Sequence, residues 1–208
     1  MLFRSSDIVV LSVKPQSFPE LLSKLKISAN QLVISIAAGI MLKKIEAQLG
    51  KVPLIRVMPN TPALLAEGAS AYCLGGSADE THAADAEALL GCLGLVVRVN
   101  EEQMDAVTAL SGSGPAYAFL FMEALQAAGQ KLGLDAETSF KLAAQTLKGA
   151  SAMISKGDDT PARLREKVTS PGGTTAAALK AFEDAGFRDI VLKAMTAARD
   201  RGAELGKQ

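Results

Sequence analysis

The chain has no tryptophan and only two Tyr and seven Phe residues, so it offers little aromatic surface on which nucleic-acid bases could stack. Neither sign of charge is in excess: Lys plus Arg and Asp plus Glu are both 22. That balance gives no field to draw in nucleic acid or an anionic membrane. The single histidine, His82, lies on a polar, alanine-rich segment where it is expected to be exposed and idle. With it goes any Ser–His or Cys–His pair, and no clustered metal-ligand set is present, so a hydrolase or a metal enzyme is not expected. The two cysteines, Cys73 and Cys92, have no metal or redox spacing and read as buried small hydrophobes in a reducing compartment. The first apolar run, residues 8–13, is too short for a secretory core and follows Asp7 rather than a basic flank. No stretch approaches the roughly 20 apolar residues of a membrane span. A cytoplasmic protein without metal, nucleic-acid or membrane partners is the expectation. One further absence matters later: no G-x-G-x-x-G occurs anywhere in the sequence.

What is present falls into two halves with different periods. Residues 8–13, 32–37 and 54–58 are apolar runs, the last interrupted by Arg56. They read as strands buried on both faces of a parallel sheet. Residues 17–25, 41–49 and 79–93 read as the intervening helices, and 95–99 as a final strand. This alternation specifies an α/β domain over residues 1–102. From Met104 the strand signal vanishes, and 115–132, 135–155, 161–167, 175–185 and 187–205 all read as helices. Residues 103–208 therefore form an all-α domain. Its helices carry apolar residues on more than one face, for example Ala116, Phe119, Phe121, Met122 and Leu125, which implies burial against a partner subunit. Residues 8–13 pose a puzzle of their own. They look like an interior strand, yet only seven residues precede them, and a chain that begins partway through its domain is the favoured explanation.

Several stretches could carry chemistry. Residues 168–175, Val-Thr-Ser-Pro-Gly-Gly-Thr-Thr, pack one proline, two glycines and four hydroxyls between two helices. Pro171 breaks the preceding helix, Gly172 and Gly173 permit positive φ, and Thr174 or Thr175 is placed to cap the helix that follows. The result is either an ordinary turn or a carboxylate site made of free N–H groups and hydroxyls at a helix start. Lys14 and the Ala37-Ala38-Gly39 step follow two strands, at the edge where open α/β sheets bind ligands. Met58-Pro59-Asn60-Thr61-Pro62 completes that rim after the third strand. In Ser111-Gly112-Ser113-Gly114-Pro115 the glycines suit either close helix crossing or ligand approach, with Ser113 or Gly114 as the cap. Glu101 stands at the junction of the halves, where an acid commonly serves a helix dipole.

Taken together these motifs resemble the pyrroline-5-carboxylate reductases. The matching pieces are Val13-Lys14-Pro15-Gln16, Ser35-Ile36-Ala37-Ala38-Gly39, Arg56-Val57-Met58-Pro59-Asn60-Thr61-Pro62, Ser111-Gly112-Ser113-Gly114-Pro115-Ala116-Tyr117, and 168–175 continued through Leu179 and Phe182. The resemblance implies reduction of the cyclic imine 1-pyrroline-5-carboxylate to L-proline with NADPH or NADH. It implies a Rossmann-like sheet domain followed by an all-α dimerisation domain, in a homodimer or higher homo-oligomer. By the family pattern, Val13, Lys14, Pro15 and Ala38 line the nicotinamide end of the cofactor, and Lys167 falls next to it where some members carry Asn. Ser170 and the backbone at Gly172, Gly173 and Thr174 match the substrate-carboxylate loop. Thr175 matches the hydroxyl bonded to the ring nitrogen, and Glu101 a substrate-side position.

The chain departs from the pattern at its start. Family members open on a strand, a Gly-rich turn and a helix that hold the pyrophosphate, and nothing of the kind precedes Ile8. The sheet domain is thus expected to be N-terminally truncated. On that expectation cofactor affinity falls severely and the 208-residue form dimerises with little activity. The alternative is a catalytically silent dimerising fragment, or a partner of full-length subunits.

Overall fold

The structure, a computed structural model, describes residues 5–207. Strands and helices alternate where the apolar runs place them: β1 (Ile8–Leu11), α1 (Phe18–Lys24), β2 (Leu32–Ser35), α2 (Leu42–Leu49) and β3 (Leu54–Met58). There follow β4 (Gly68–Leu74), α3 (Glu80–Gly91) and β5 (Gly94–Arg98). The strands form one five-stranded sheet in the order β1-β2-β3-β4-β5. Pairing is parallel from β1 to β3 and between β4 and β5, with β3 and β4 antiparallel.

β4 is the element that the apolar pattern does not reveal. Its sequence, Gly-Ala-Ser-Ala-Tyr-Cys-Leu, carries few large apolar residues, and it is buried on both faces, so it shows no alternation. β1 stands at the sheet edge among the described strands, paired with β2 alone, and Val10 is exposed. The later strands thus supply one neighbour for it rather than two.

Alternate strand residues feed two cores. Val33 and Leu54 point to one face, where Phe18, Leu22, Leu42 and Ile45 of α1 and α2 cover them. Ile34, Ile55, Val57 and Tyr72 point to the other, under Ala83, Ala86 and Leu90 of α3. Coverage of both faces is why these strands read as continuous apolar runs. Buried Tyr72 reaches Glu87 on α3 through its hydroxyl, and burial followed by this hydrogen bond pushes the phenol up to about 12.

Everything from Met104 is helical: α4 (Met104–Val107), a π-helical turn over Thr108–Gly112, α5 (Gly114–Lys131), α6 (Ala136–Lys156), α7 (Pro161–Lys167), α8 (Thr174–Asp184) and α9 (Phe187–Lys207). The contacts divide the chain into two compact units. The sheet unit comprises the described residues to 115 together with 194–207, so the end of α9 belongs with the strands; the helical unit is 116–193. Within the helical unit only Ser139 and Ala143 are buried, while Phe119, Leu120, Phe140, Leu142, Ile190 and Leu192 are exposed. A layer that hides so little of its own apolar surface needs a second layer to cover it. Among the described residues, no helix is long and apolar enough to cross a membrane.

The two cysteines differ. Cys73 on β4 is buried, whereas Cys92, just past α3, is exposed, which corrects the expectation that both are core residues. The reason is positional: Cys92 follows the last turn of α3 and bonds only the Ala88 carbonyl, outside both cores. Burial first, and then the Glu101 charge, pushes the Cys73 thiol up to about 11. At pH 8 only about one Cys73 in a thousand is then thiolate. Ellman's reagent should accordingly titrate one thiol in the folded chain at pH 8 and both in denaturant.

Candidate functional site

The parallel register brings the carboxyl ends of β1, β2 and β3 to one edge, since Leu11 pairs with Ser35 and Ser35 with Arg56. Val13 and Lys14 follow β1 and are both exposed. The extended backbone of Lys14 leads into a 3-10 turn over Pro15–Ser17, closed by the Ser17 amide on the Lys14 carbonyl at 2.9 Å. After β2, the chain turns through Ala37 and half-buried Ala38 to Gly39, whose φ of +77° is left-handed and calls for glycine. Pro15 and Ala38 line one cavity of about 390 Å³ with Phe18, Ile40 and Leu205. Close approach at Gly39 is made by the chain itself: a Cβ on Gly39 would meet the backbone of residues 202–206, at the end of α9.

After β3, Asn60 acts as a clamp. Its Nδ2 donates to the Ser111 carbonyl at 3.1 Å and its Oδ1 accepts from the Ala69 amide at 2.9 Å. Gly112 lies against the flexible end of Met58, whose Cε would sit 2.4 Å from an added Cβ and can swing aside; around Gly114 there is open space. Neither Ser113 nor Gly114 caps α5 as expected, because the π turn runs straight into the helix, closed by the Ser113 amide on the Thr108 carbonyl at 2.8 Å.

Glu101 is engaged with the sheet unit. Its Oε1 accepts from the Leu42 amide at 2.7 Å and from Arg56 Nη1 at 3.2 Å. Met41, at the start of α2, supplies no side-chain cap, so Glu101 does that work from 59 residues away, at the positive end of the helix. Arg56 is only 4% exposed, and this carboxylate is its ion-pair partner. Sequence reading places both residues but not the pair; the one signal is an arginine interrupting an otherwise apolar strand.

The turn over 168–175 lies in the helical unit. Gly172 has φ +71° and no neighbour within 4 Å of an added Cβ, so its requirement is conformational. Gly173, extended at φ −80° and ψ 173°, occupies the cap position of α8 without a side-chain cap. Thr174 and Thr175 are the first two residues of the helix rather than its cap, because the helix starts one residue earlier than their capping would require. The Gly173 amide already donates to the Ser170 carbonyl at 3.0 Å. Among the described residues, no chain acceptor meets the amides of Gly172, Thr174 and Thr175, nor do the hydroxyls of Ser170, Thr174 and Thr175 bond to the chain. Such a set at the start of an 11-residue helix is suited to a small carboxylate. Lys167, at the end of α7, is ion-paired to Asp159 at 2.5 Å.

His82 is not idle. Its Nδ1 lies 2.6 Å from Asp79 Oδ1, and the two close a capping box on α3. The bonds from the His82 backbone and side chain hold the Asp79 carboxyl below its ordinary value. Among the described residues, no group of three His, Cys, Asp or Glu side chains is arranged to hold a metal ion.

The family model described as pyrroline-5-carboxylate reductase dimerisation matches residues 101–205, and the one described as NADP oxidoreductase, coenzyme F420-dependent, matches 1–39. The pyrroline-5-carboxylate reductase of Pseudomonas aeruginosa is 47% identical over 98% of this chain and 76% of its own length. The crystal structure of Plasmodium falciparum pyrroline carboxylate reductase with NADP bound has a TM-score of 0.90 at 36% identity, covering 99% of this chain and 79% of that one. The pyrroline-5-carboxylate reductase of Coxiella burnetii has a TM-score of 0.89 at 42% identity, covering 99% and 78%.

Removing the Glu101 carboxylate leaves buried Arg56 unpaired and the α2 start without its acceptor. Glu101→Ala should lower unfolding stability by about 3 kcal/mol. A urea midpoint shifted down at constant slope is the measurement.

Proposed function

The chain belongs to the pyrroline-5-carboxylate reductase family, and from that premise we propose how its own residues serve the reduction of 1-pyrroline-5-carboxylate to L-proline. The observation that carries the reading is the open start of α8, where unbonded amides and hydroxyls gather on one turn. The substrate offers a carboxylate and a ring imine. The amides of Gly172 and Thr174, with the Ser170 hydroxyl, take the carboxylate; the Gly173 amide, already bonded, serves by fixing the turn. Thr175 Oγ1 accepts from the protonated ring nitrogen, so the proton stays where it makes the imine carbon most electrophilic. Holding a reactant that is already electrophilic is mainly a matter of orientation, which needs no nucleophile or general base. Glu101 uses Oε1 on Arg56 and Leu42, which leaves Oε2 for the substrate side.

The strand-end rim fits the nicotinamide end of NADPH or NADH. Ala38 and two prolines, Pro15 and Pro19, border the cavity of about 390 Å³ together with larger side chains such as Phe18, Leu22 and Leu205, and the ammonium of Lys14 has no partner in the chain among the described residues. Val13, Lys14, Pro15 and Ala38 would hold that end, and Lys167 is assigned to the cofactor by the family pattern alone. When bound, the cofactor supplies the hydride that the imine carbon accepts.

The working form is a homodimer or a higher homo-oligomer, supported by the dimerisation-family match and the uncovered apolar faces of the helical unit. Residues 1–102, joined by the returning end of α9, act as the nucleotide-binding domain, and the helices from 103 onward before that return carry dimerisation and the substrate turn. Two free thiols suit a reducing compartment, and the cytoplasm is assigned on that basis.

Saturable, pyrroline-5-carboxylate-dependent oxidation of NADPH tests the activity directly. Thr175→Ala should lower kcat about 10- to 100-fold, the worth of one hydrogen bond to a charged group, with the NADPH dissociation constant unchanged. A collapse of cofactor binding in that variant would show the hydroxyl serving the other end of the site.

A further inference from the structure

We infer that the last turn of α9 positions the cofactor rim, with Gly206 as the seat on which the Gly39 turn rests and Leu205 as a wall of the cavity beside it. The inference rests on the cofactor reading above.

The contact is backbone on backbone. A Cβ added to Gly206 would lie 2.7 Å from the Gly39 carbonyl oxygen. One added to Gly39 would lie 3.3 Å from the Gly206 nitrogen and 3.6 Å from the Gly202 oxygen. No flexible side-chain end stands between the two segments to absorb a change, so any added atom must displace one of them. Gly39 cannot take a side chain for a second reason, its left-handed φ of +77°. Other ties on this turn are few. The Ile36 amide bonds Leu11 at 3.2 Å, and the Ala37 amide approaches Ser35 Oγ at 3.5 Å. Beyond Ala37, the turn is placed by the helix end it rests upon and, further on, by Ile40 packed on the core and the Leu42 amide bonded to Glu101 at 2.7 Å.

Ala38 immediately precedes Gly39, and Leu205 immediately precedes Gly206; both line the cavity that Pro15 borders. Displacing the helix end thus moves two walls of that cavity together. The second glycine of the turn differs. A Cβ on Gly202 would meet Asp105 Oδ1 at 3.6 Å, an ordinary contact that a methyl group satisfies. The geometry therefore separates two glycines four residues apart on one helix: Gly206 is a positioning residue and Gly202 is replaceable.

Gly206→Ala and Gly202→Ala, made in the full chain, test this. In Gly206→Ala, amide exchange over residues 36–41 should quicken and the NADPH dissociation constant should rise about tenfold. KM for pyrroline-5-carboxylate and the sedimentation coefficient of the oligomer should stay at the parent values. Gly202→Ala should match the parent in all four measurements. Unchanged exchange at 36–41 in Gly206→Ala, beside a parent that binds NADPH, would overturn the seat. So would a loss of NADPH affinity matched by equal losses in substrate affinity and assembly, since that pattern marks general destabilisation. A parent chain with no saturable NADPH binding would instead overturn the cofactor reading, and with it the role given to the seat.

Discussion

The ion pair between Arg56 and Glu101 is the contact on which the sheet unit depends. A guanidinium only 4% exposed, on a strand whose other members are apolar, is costly unless a carboxylate meets it. The carboxylate that does so comes from the segment leading into the helices, and its same oxygen holds the first amide of α2. One atom thereby ties together β3, the start of α2 and the exit from β5. Two of the three strand ends that make up the rim are placed relative to each other through this atom. Its charge also reaches into the core, where it adds to burial in keeping the Cys73 thiol protonated.

The helical unit obeys a different constraint. It is built of long amphipathic or nearly all-apolar helices, yet it buries only Ser139 and Ala143 within itself. Phe121, Phe182 and Phe187 form a small aromatic cluster, with ring centroids 5.4–6.4 Å apart, which is too little to stabilise 78 residues alone. The unit's exposed apolar faces accord with the dimerisation-family match over residues 101–205. The open start of α8, the turn proposed to take the substrate, belongs to this unit.

Much of this was legible in the residues. The strands at 8–11, 32–35 and 54–58 and the long helices follow from apolar period and from breakers at Gly133, Gly157, Gly172 and Gly186. The turn at 168–175 was legible because proline, paired glycines and hydroxyls have local geometric consequences. β4 was not, because small residues buried on both faces leave no periodic trace. The capping work of His82 was missed because polar composition reads as exposure, although its partner Asp79 lies only three residues away.

The sequence by itself determined the α/β-then-α order, the family, and the identity of the residues at the strand ends and at the start of α8. Each of these is carried by local preference or by motif, which act over a few residues. The tertiary structure alone decided which residues meet across the chain: Arg56 with Glu101, Asn60 with Ser111, and Gly39 with Gly206. Those partners lie 45 to 167 residues apart, and composition near one end says nothing of the other. Only closure of the sheet and the return of α9 bring them within bonding distance.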